Sequence, residues 1–311
     1  MTTHSTTNNN IKAIGFLLIA LLIFSLQSIA VKGISGDYSI LEIVAIRSLI
    51  ALPATLIFYR AEGKRGLPKT KRYTLEIVRG IFLFISYTTV FMGLASLPLA
   101  DIESIRLSGP LLITGLSVFM LREKVEWQRW VALVVGFIGI LIVVNPGSAT
   151  FNLGSIFVLI SILFYALNVI LTRKLQSTDS SATMSYYSSL VYLVAAVVLL
   201  PLPSLVGDVN SAHPSIAFLL RAWSMPTLID AFIMAGLGLV WAGGMYFMAR
   251  AYSVGQASAV APFEYTSLLI STTWGFLLFQ EVPTWTTIIG AVITLASGLF
   301  ILMRERKKSS A

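Results

Sequence analysis

The chain has 311 residues, 56% of them hydrophobic and 12% charged, with a net charge of +8 and a mean hydropathy of +0.84. Soluble domains carry about 25% charged residues, so this much apolar surface exceeds what a core can hide and must face lipid. The basic residues lie in short gaps between apolar runs, which fits cytoplasmic retention rather than nucleic-acid binding, and with no cysteine present there is neither a disulfide nor a thiolate metal site.

A spanning helix needs about 20 apolar residues. Ten segments meet this: 12–33, 39–59, 74–96, 99–121, 128–145, 153–173, 182–201, 226–249, 256–279 and 283–303. The expected fold class is therefore an all-α polytopic membrane protein, and the lack of period-two alternation excludes a barrel. The first apolar run is too long for a signal-peptide core and reads as a retained helix. Links as short as Gly33 to Asp37 and Leu97 to Pro98 force neighbouring helices to run antiparallel. With the N-terminus inside, seventeen Lys and Arg fall in cytoplasmic regions, and only Lys32 and Arg221 fall outside. Both termini are expected in the cytoplasm. The piece from Pro201 to Met225 then lies outside, with Ile216 to Trp223 along the interface.

The chain repeats itself. Phe24-Ser25-Leu26-Gln27 with Lys32 parallels Tyr165-Ala166-Leu167-Asn168 with Arg173, and Arg122-Glu123…Trp127 parallels Gln280-Glu281…Trp285 at an offset of 158 residues. Five helices per half is an odd number, so the second half enters the membrane inverted. Such repeats mark secondary transporters, whose site lies near the midplane at the repeat interface. The expected organisation is a cytoplasmic tail over 1–10, repeats over 11–146 and 147–303, and a basic cytoplasmic tail over 304–311.

The stretches LPLADIESIRLSGPLLITGLSVFMLREKVEWQRW, GFIGILIVVNPG and AYSVGQASAVAPFEYTSLLISTTWGFLLFQEVPTW resemble the EamA family of the drug/metabolite transporter superfamily. The resemblance spans about Ile14 to Met303 and is most specific at Glu123, Glu281, Pro110 and Ala261-Pro262-Phe263-Glu264-Tyr265. It implies a ten-helix inverted repeat with helices 1, 3, 4, 6, 8 and 9 around a central cavity, moving small polar or amphipathic metabolites.

Ionisable residues deep in a membrane helix are functional by default. Arg106 and Glu264 stand at the same repeat position with opposite charge, each roughly 10–12 Å deep. They suit a zwitterionic or mixed-charge substrate; alternatively they hold the bundle together, with Glu103 beside Arg106 on one helix face. Asp101 and Glu103 lie nearer the outer end, as an access vestibule or, together with Glu264, as proton-coupling candidates. Gln27 and Asn168 form a symmetric amide pair that binds substrate or bridges helices. Tyr87, Tyr165, Trp241, Tyr246, Tyr265 and Trp274 offer stacking walls, with Tyr265 and Trp241 the preferred pair. Pro110 and Pro262 remove backbone hydrogen bonds and are hinge candidates. Arg79 is expected to snorkel to the cytoplasmic headgroups, Arg47 has no evident partner, and Gly290, Thr294 and Gly298 form a small-residue packing face.

No Walker motif, metal-spaced cluster or Ser-His-Asp set is present. The expectation is a non-enzymatic inner-membrane carrier without cofactor, monomeric or homodimeric, embedded in the bilayer and moving a small molecule such as an amino acid or a related zwitterionic or ring-bearing compound. Uptake of a nucleoside derivative or vitamin is the alternative, and an intramembrane lipid-handling enzyme is the rival from another class.

Overall fold

The computed structural model describes residues 2–121, 127–146, 151–175, 178–206, 213–254 and 261–309. The described residues are mostly helical and contain no strand. In chain order the helices are α1 (Thr2–Ile34), α2 (Ile40–Ala61), α3 (Tyr73–Leu94), α4 (Leu99–Arg106), α5 (Gly109–Leu121), α6 (Trp127–Val144), α7 (Leu153–Leu175), α8 (Ser181–Leu199), α9 (Leu202–Val206), α10 (Pro214–Leu220) and α11 (Leu228–Val254). A 3-10 turn (Ala261–Tyr265), α12 (Thr266–Phe279) and α13 (Trp285–Ser309) follow. Among the described residues six stretches are long and apolar enough to cross a membrane: Ile11–Ile34, Ile40–Ala61, Tyr73–Leu94, Leu153–Thr172, Ala182–Val206 and Leu228–Met248. Shorter apolar runs occupy Trp130–Val144 and Trp285–Phe300. Ile57, Val198, Phe232, Leu239 and Leu269 point outward, while Glu42, Arg47, Glu76 and Arg79 are buried. That is the distribution expected where the surrounding solvent is hydrocarbon.

Local sequence sets several helix ends. Ser39-x-x-Glu42 is a capping-box pattern, and the Ser39 hydroxyl accepts from the Leu41 N–H at 3.2 Å. His213-Pro214 opens α10, with proline in the first turn, where its missing N–H costs nothing. The expected single helix over 99–121 is instead two helices. Pro110 cannot supply the N–H that would bond the Arg106 carbonyl, and the chain turns at Leu107–Ser108, where the Ser108 hydroxyl donates to the Ile105 carbonyl at 2.6 Å. The offset of 158 takes Leu107 to Tyr265, the last residue of the 3-10 turn, so in the second repeat regular α-helix begins directly after the matching position.

Packing follows a pattern. The most extensive contacts are α3 on α7, α1 on α11, α6 on α13 and α2 on α8; α11 also packs on α2, α3 on α8, and α4 on α12. The two ends of the bundle are tied separately. At one end Lys32, Ser96, Asn152, Ser215 and Arg221 meet: Ser96 Oγ bonds Ser215 Oγ at 2.9 Å, Asn152 Nδ2 donates to the Ser96 carbonyl at 2.9 Å, and Arg221 donates to the Ser35 carbonyl at 2.8 Å. At the other, Thr70 donates to Asp179 at 2.8 Å and Arg72 to the Lys174 carbonyl at 3.0 Å.

Packing adds to one sequence expectation and changes another. The segment expected along the interface, Ile216 to Trp223, overlaps α10, which seats Phe218 and Ser215 fully buried and packs against α2 and α3. Arg79 does not snorkel. Its Nε donates to Glu76 at 3.1 Å and its Nη2 to Ser188 at 2.8 Å and to the Met184 carbonyl, so its charge is neutralised inside the bundle rather than at the headgroups.

Candidate functional site

The centre of the bundle gathers charged and aromatic side chains from helices of both halves. Arg106, at the end of α4, pairs through Nη1 with Glu103 Oε1 at 2.7 Å. Its side chain keeps 42% of its surface accessible although protein surrounds it at depth. The guanidinium is therefore left open to a ligand beside the chain break at Leu107–Ser108. Tyr165 on α7 has the same character, partly accessible yet deep. Arg106 lies within electrostatic reach of Tyr87 and Tyr165, and Tyr165 lies within reach of Glu264 as well. The two repeat-related charges thus share Tyr165 as a common neighbour. Glu264 is half-buried in the 3-10 turn.

Behind Tyr87 stands an aromatic tier. Trp241 sits edge-on to Tyr87 with centroids 4.7 Å apart, and Phe24 and Tyr192 are 6.3 and 5.6 Å away. Trp241 is only 2% exposed, so it backs the tier. The partner that the sequence could not supply for Arg47 is this tier: the guanidinium lies 4.9 Å from the Trp241 ring, 5.2 Å from Tyr192 and 6.0 Å from Phe91, stabilised by the negative ring faces. Tyr265 is buried with Leu107 and Ala291 and turns toward α13, its ring occupying the space that Gly298 leaves open. It therefore belongs to helix packing.

Gln27 on α1 and Asn168 on α7 are buried, and their carbonyl oxygens, Oε1 and Oδ1, have no hydrogen-bond partner among the described residues. A buried unmatched acceptor costs about 1–3 kcal/mol, which is a reason to look for a ligand donor. Asp101 accepts from Thr287 at 2.5 Å, joining α4 to α13. Pro110 falls in the first turn of α5, just after the break, and Pro262 in the 3-10 turn. Glu123 lies outside the described residues. Trp274 Nε1 donates to Ser25 at 3.1 Å, tying α12 to α1, and Tyr246 stacks on Phe58 at 4.7 Å; both aromatics brace helices.

Sequence reasoning reads Glu281 as a capping or gate-anchoring group but misses the cluster around it. At the end of the bundle that carries the α1 C-terminus, Lys32 pairs with Glu281 Oε1 and donates to the Leu97 carbonyl at 2.8 Å, while Glu281 Oε2 accepts from the Leu99 N–H at 2.9 Å. The pair borders a cleft of about 330 Å³ lined also by Leu94, Ala95, Ser96, Leu97 and Pro98. Each residue ends an apolar helix, and that was the available signal. Nearby, Tyr38 donates to Asp230 at 2.7 Å, a bond that raises the phenol above its ordinary range.

Among the described residues no group of three or more His, Cys, Asp or Glu is arranged to hold a metal ion.

The chain matches the EamA-like transporter family twice, over residues 11–145 and 152–303. It is 31% identical to the S-adenosylmethionine uptake transporter of Rickettsia felis, covering 96% of this chain and 94% of that protein. It is 30% identical to the riboflavin transporter of Vibrio cholerae, covering 86% and 84%, and 26% identical to the pseudopaline exporter of Pseudomonas aeruginosa, covering 93% and 95%. A solved crystal structure superposes with a TM-score of 0.63 at 14% identity over 95% of this chain and 98% of its own, a likeness of fold. Apolar helices and two family matches in tandem meet in one conclusion: the chain belongs to the EamA-like transporter family, as a multi-pass membrane protein that transports a small metabolite.

Proposed function

We propose that the protein is an alternating-access carrier of ten spans in two inverted repeats, over 11–146 and 147–303, with both termini cytoplasmic in the plasma (inner) membrane. Its substrate is a compound joining an α-amino-acid head to a ring, of the S-adenosylmethionine type. The packing supports the symmetry. Exchanging the two halves turns α3–α7 into α11–α1 and α2–α11 into α8–α3, and leaves α6–α13 and α2–α8 in place. The break after Arg106 and the 3-10 turn that ends at Tyr265 stand at matching positions, and irregular helices of this kind are how inverted-repeat carriers build sites near the midplane.

The observation that carries the substrate class is the accessible Arg106 in the bundle, with Glu103, Tyr87 and Tyr165 around it and Glu264 within reach of Tyr165. A guanidinium takes the carboxylate, the acidic side chains take ammonium or sulfonium charge, and tyrosine faces take the ring. Gln27 and Asn168 supply acceptors for amine hydrogens. Glu264 and Glu103 are the carboxylates placed to carry a coupled proton; Asp101, engaged with Thr287, serves the outer end. Pro110 and Pro262 mark the hinges. The full-length relative named for S-adenosylmethionine uptake supports this choice over an amino acid alone. The relative named for riboflavin favours a second reading, a vitamin-sized ring compound.

The test is uptake into proteoliposomes of labelled S-adenosylmethionine, methionine, adenosine and riboflavin. Saturable S-adenosylmethionine uptake with weaker methionine and adenosine uptake is expected. Saturable riboflavin uptake without S-adenosylmethionine uptake would replace the first reading with the second. Equilibration of every compound at the protein-free rate would remove both.

A further inference from the structure

We propose that the cleft beside Lys32 and Glu281 is an outer recognition site for the substrate's α-amino-acid head, and that the ion pair across it is the contact the zwitterion replaces as the outer end opens. The inference rests on the substrate class proposed above. Four elements converge on the pair: α1 through Lys32, the α3–α4 link through the Leu97 carbonyl and Leu99 N–H, α12 through Glu281, and α13 through Thr287 on the neighbouring Asp101. Asp101 lies within electrostatic reach of both members of the pair, and the Phe279 ring is 5.1 Å from the Lys32 ammonium. Together these contacts shut this end of the bundle.

Opening it for transport requires Lys32 and Glu281 to part. Their side chains are 14% and 17% accessible, so parting them without replacements strands two poorly solvated charges. An α-amino acid carries both replacements on one carbon. Its carboxylate takes Lys32, and its ammonium takes Glu281 and the vacated Leu97 carbonyl. A cleft of about 330 Å³ is of small-molecule size, and the pair borders it rather than being sealed in a packed helix contact. Zwitterions thereby lower the barrier to opening, and ring compounds without the head group do not. The site selects before the centre of the bundle does.

The chain lacks cysteine, so Ala95→Cys places a single thiol in the cleft. Its reaction with a membrane-impermeant maleimide is followed on full-length protein in right-side-out vesicles. Millimolar L-methionine, the probe for the head group, is expected to slow labelling severalfold, and methylthioadenosine, which carries the ring and thioether alone, is expected to leave it unchanged. In Lys32→Gln/Ala95→Cys the methionine effect is expected to vanish. No methionine effect in the Ala95→Cys protein, an equal effect of methylthioadenosine, an effect that survives Lys32→Gln, or a thiol that the reagent never reaches would each overturn the proposal. The Ala95→Cys measurement decides alone if the Lys32 variant does not insert. Methionine protection without any S-adenosylmethionine uptake would overturn the transport reading and keep the cleft as a head-group site.

Discussion

Two arginines carry the same local pattern and do opposite work. Arg106 follows Glu103 by three residues and Arg79 follows Glu76 by three, and both pairs close as ion pairs. The Arg106 side chain is 42% accessible and that of Arg79 only 4%, and this decides their consequences. Arg106→Gln removes a half-exposed cation but leaves Glu103, only 11% accessible, without it, so stability is expected to fall by about 1–3 kcal/mol, while transport falls at least about tenfold through weaker substrate binding; thermal unfolding and uptake kinetics on the same protein check both. Arg79→Gln leaves Glu76 buried and uncompensated and is expected to cost about 3–5 kcal/mol, with much of it recovered in Glu76→Gln/Arg79→Gln. A double-mutant cycle by thermal unfolding in detergent reads this. The sequence announced both residues as awkward charges in apolar helices. It separated them by depth, sending Arg79 to the headgroups and Arg106 to the substrate, but could not supply what the facing helices bring to Arg79, Ser188 and the Met184 carbonyl. The surroundings of Trp241 and Tyr265 were illegible for the same reason. Their positions beside small residues and Glu264 were visible, but the direction in which the rings turn depends on Phe24, Arg47 and Gly298, far away in the chain.

Elements were legible where periodicity and breakers act locally, and illegible where contact does. The small-residue face of the last span was plain from Gly290, Thr294 and Gly298; its partner was not. In the fold it meets α6 so closely that a Cβ at Gly290 would stand 2.5 Å from the Gly139 carbonyl, and one at Gly139 would stand 2.8 Å from the Gly290 carbonyl. The Thr294 hydroxyl, fully buried, bonds the Gly136 carbonyl at 3.3 Å. Backbone cannot yield as a side chain can, so Gly290→Ala is expected to destabilise by about 1–3 kcal/mol. Gly243→Ala in α11 meets nothing within 4 Å and is expected to be neutral or to gain up to about 1 kcal/mol of helix propensity. Parallel melts of the two proteins test the contrast; equal losses would mean that α6 and α13 are not in backbone contact.

For the whole molecule, hydropathy and charge counts carried most of the architecture: the described helices fall on the expected segments, and the residues expected on opposite sides of the membrane bond at opposite ends of the bundle. The proposed orientation gives a direct check in a cysteine-free chain. A thiol from Ser309→Cys should react with an impermeant maleimide only after permeabilisation, and one from Ser204→Cys beforehand; the reverse order would invert the topology. What the counts could not reveal is the interruption after Arg106, and it bears on how the protein is made. The unit that enters the bilayer here is an eight-residue stub bearing Asp101, Glu103 and Arg106, followed by a thirteen-residue apolar helix. Charges of this kind cost about 2.5–3.5 kcal/mol each at the centre of a helix leaving the translocon. The stub therefore waits at the membrane's edge for company. The α12 and α13 surfaces that hold it are synthesised only after α7–α11, so this part of the bundle closes long after the stub itself has been made.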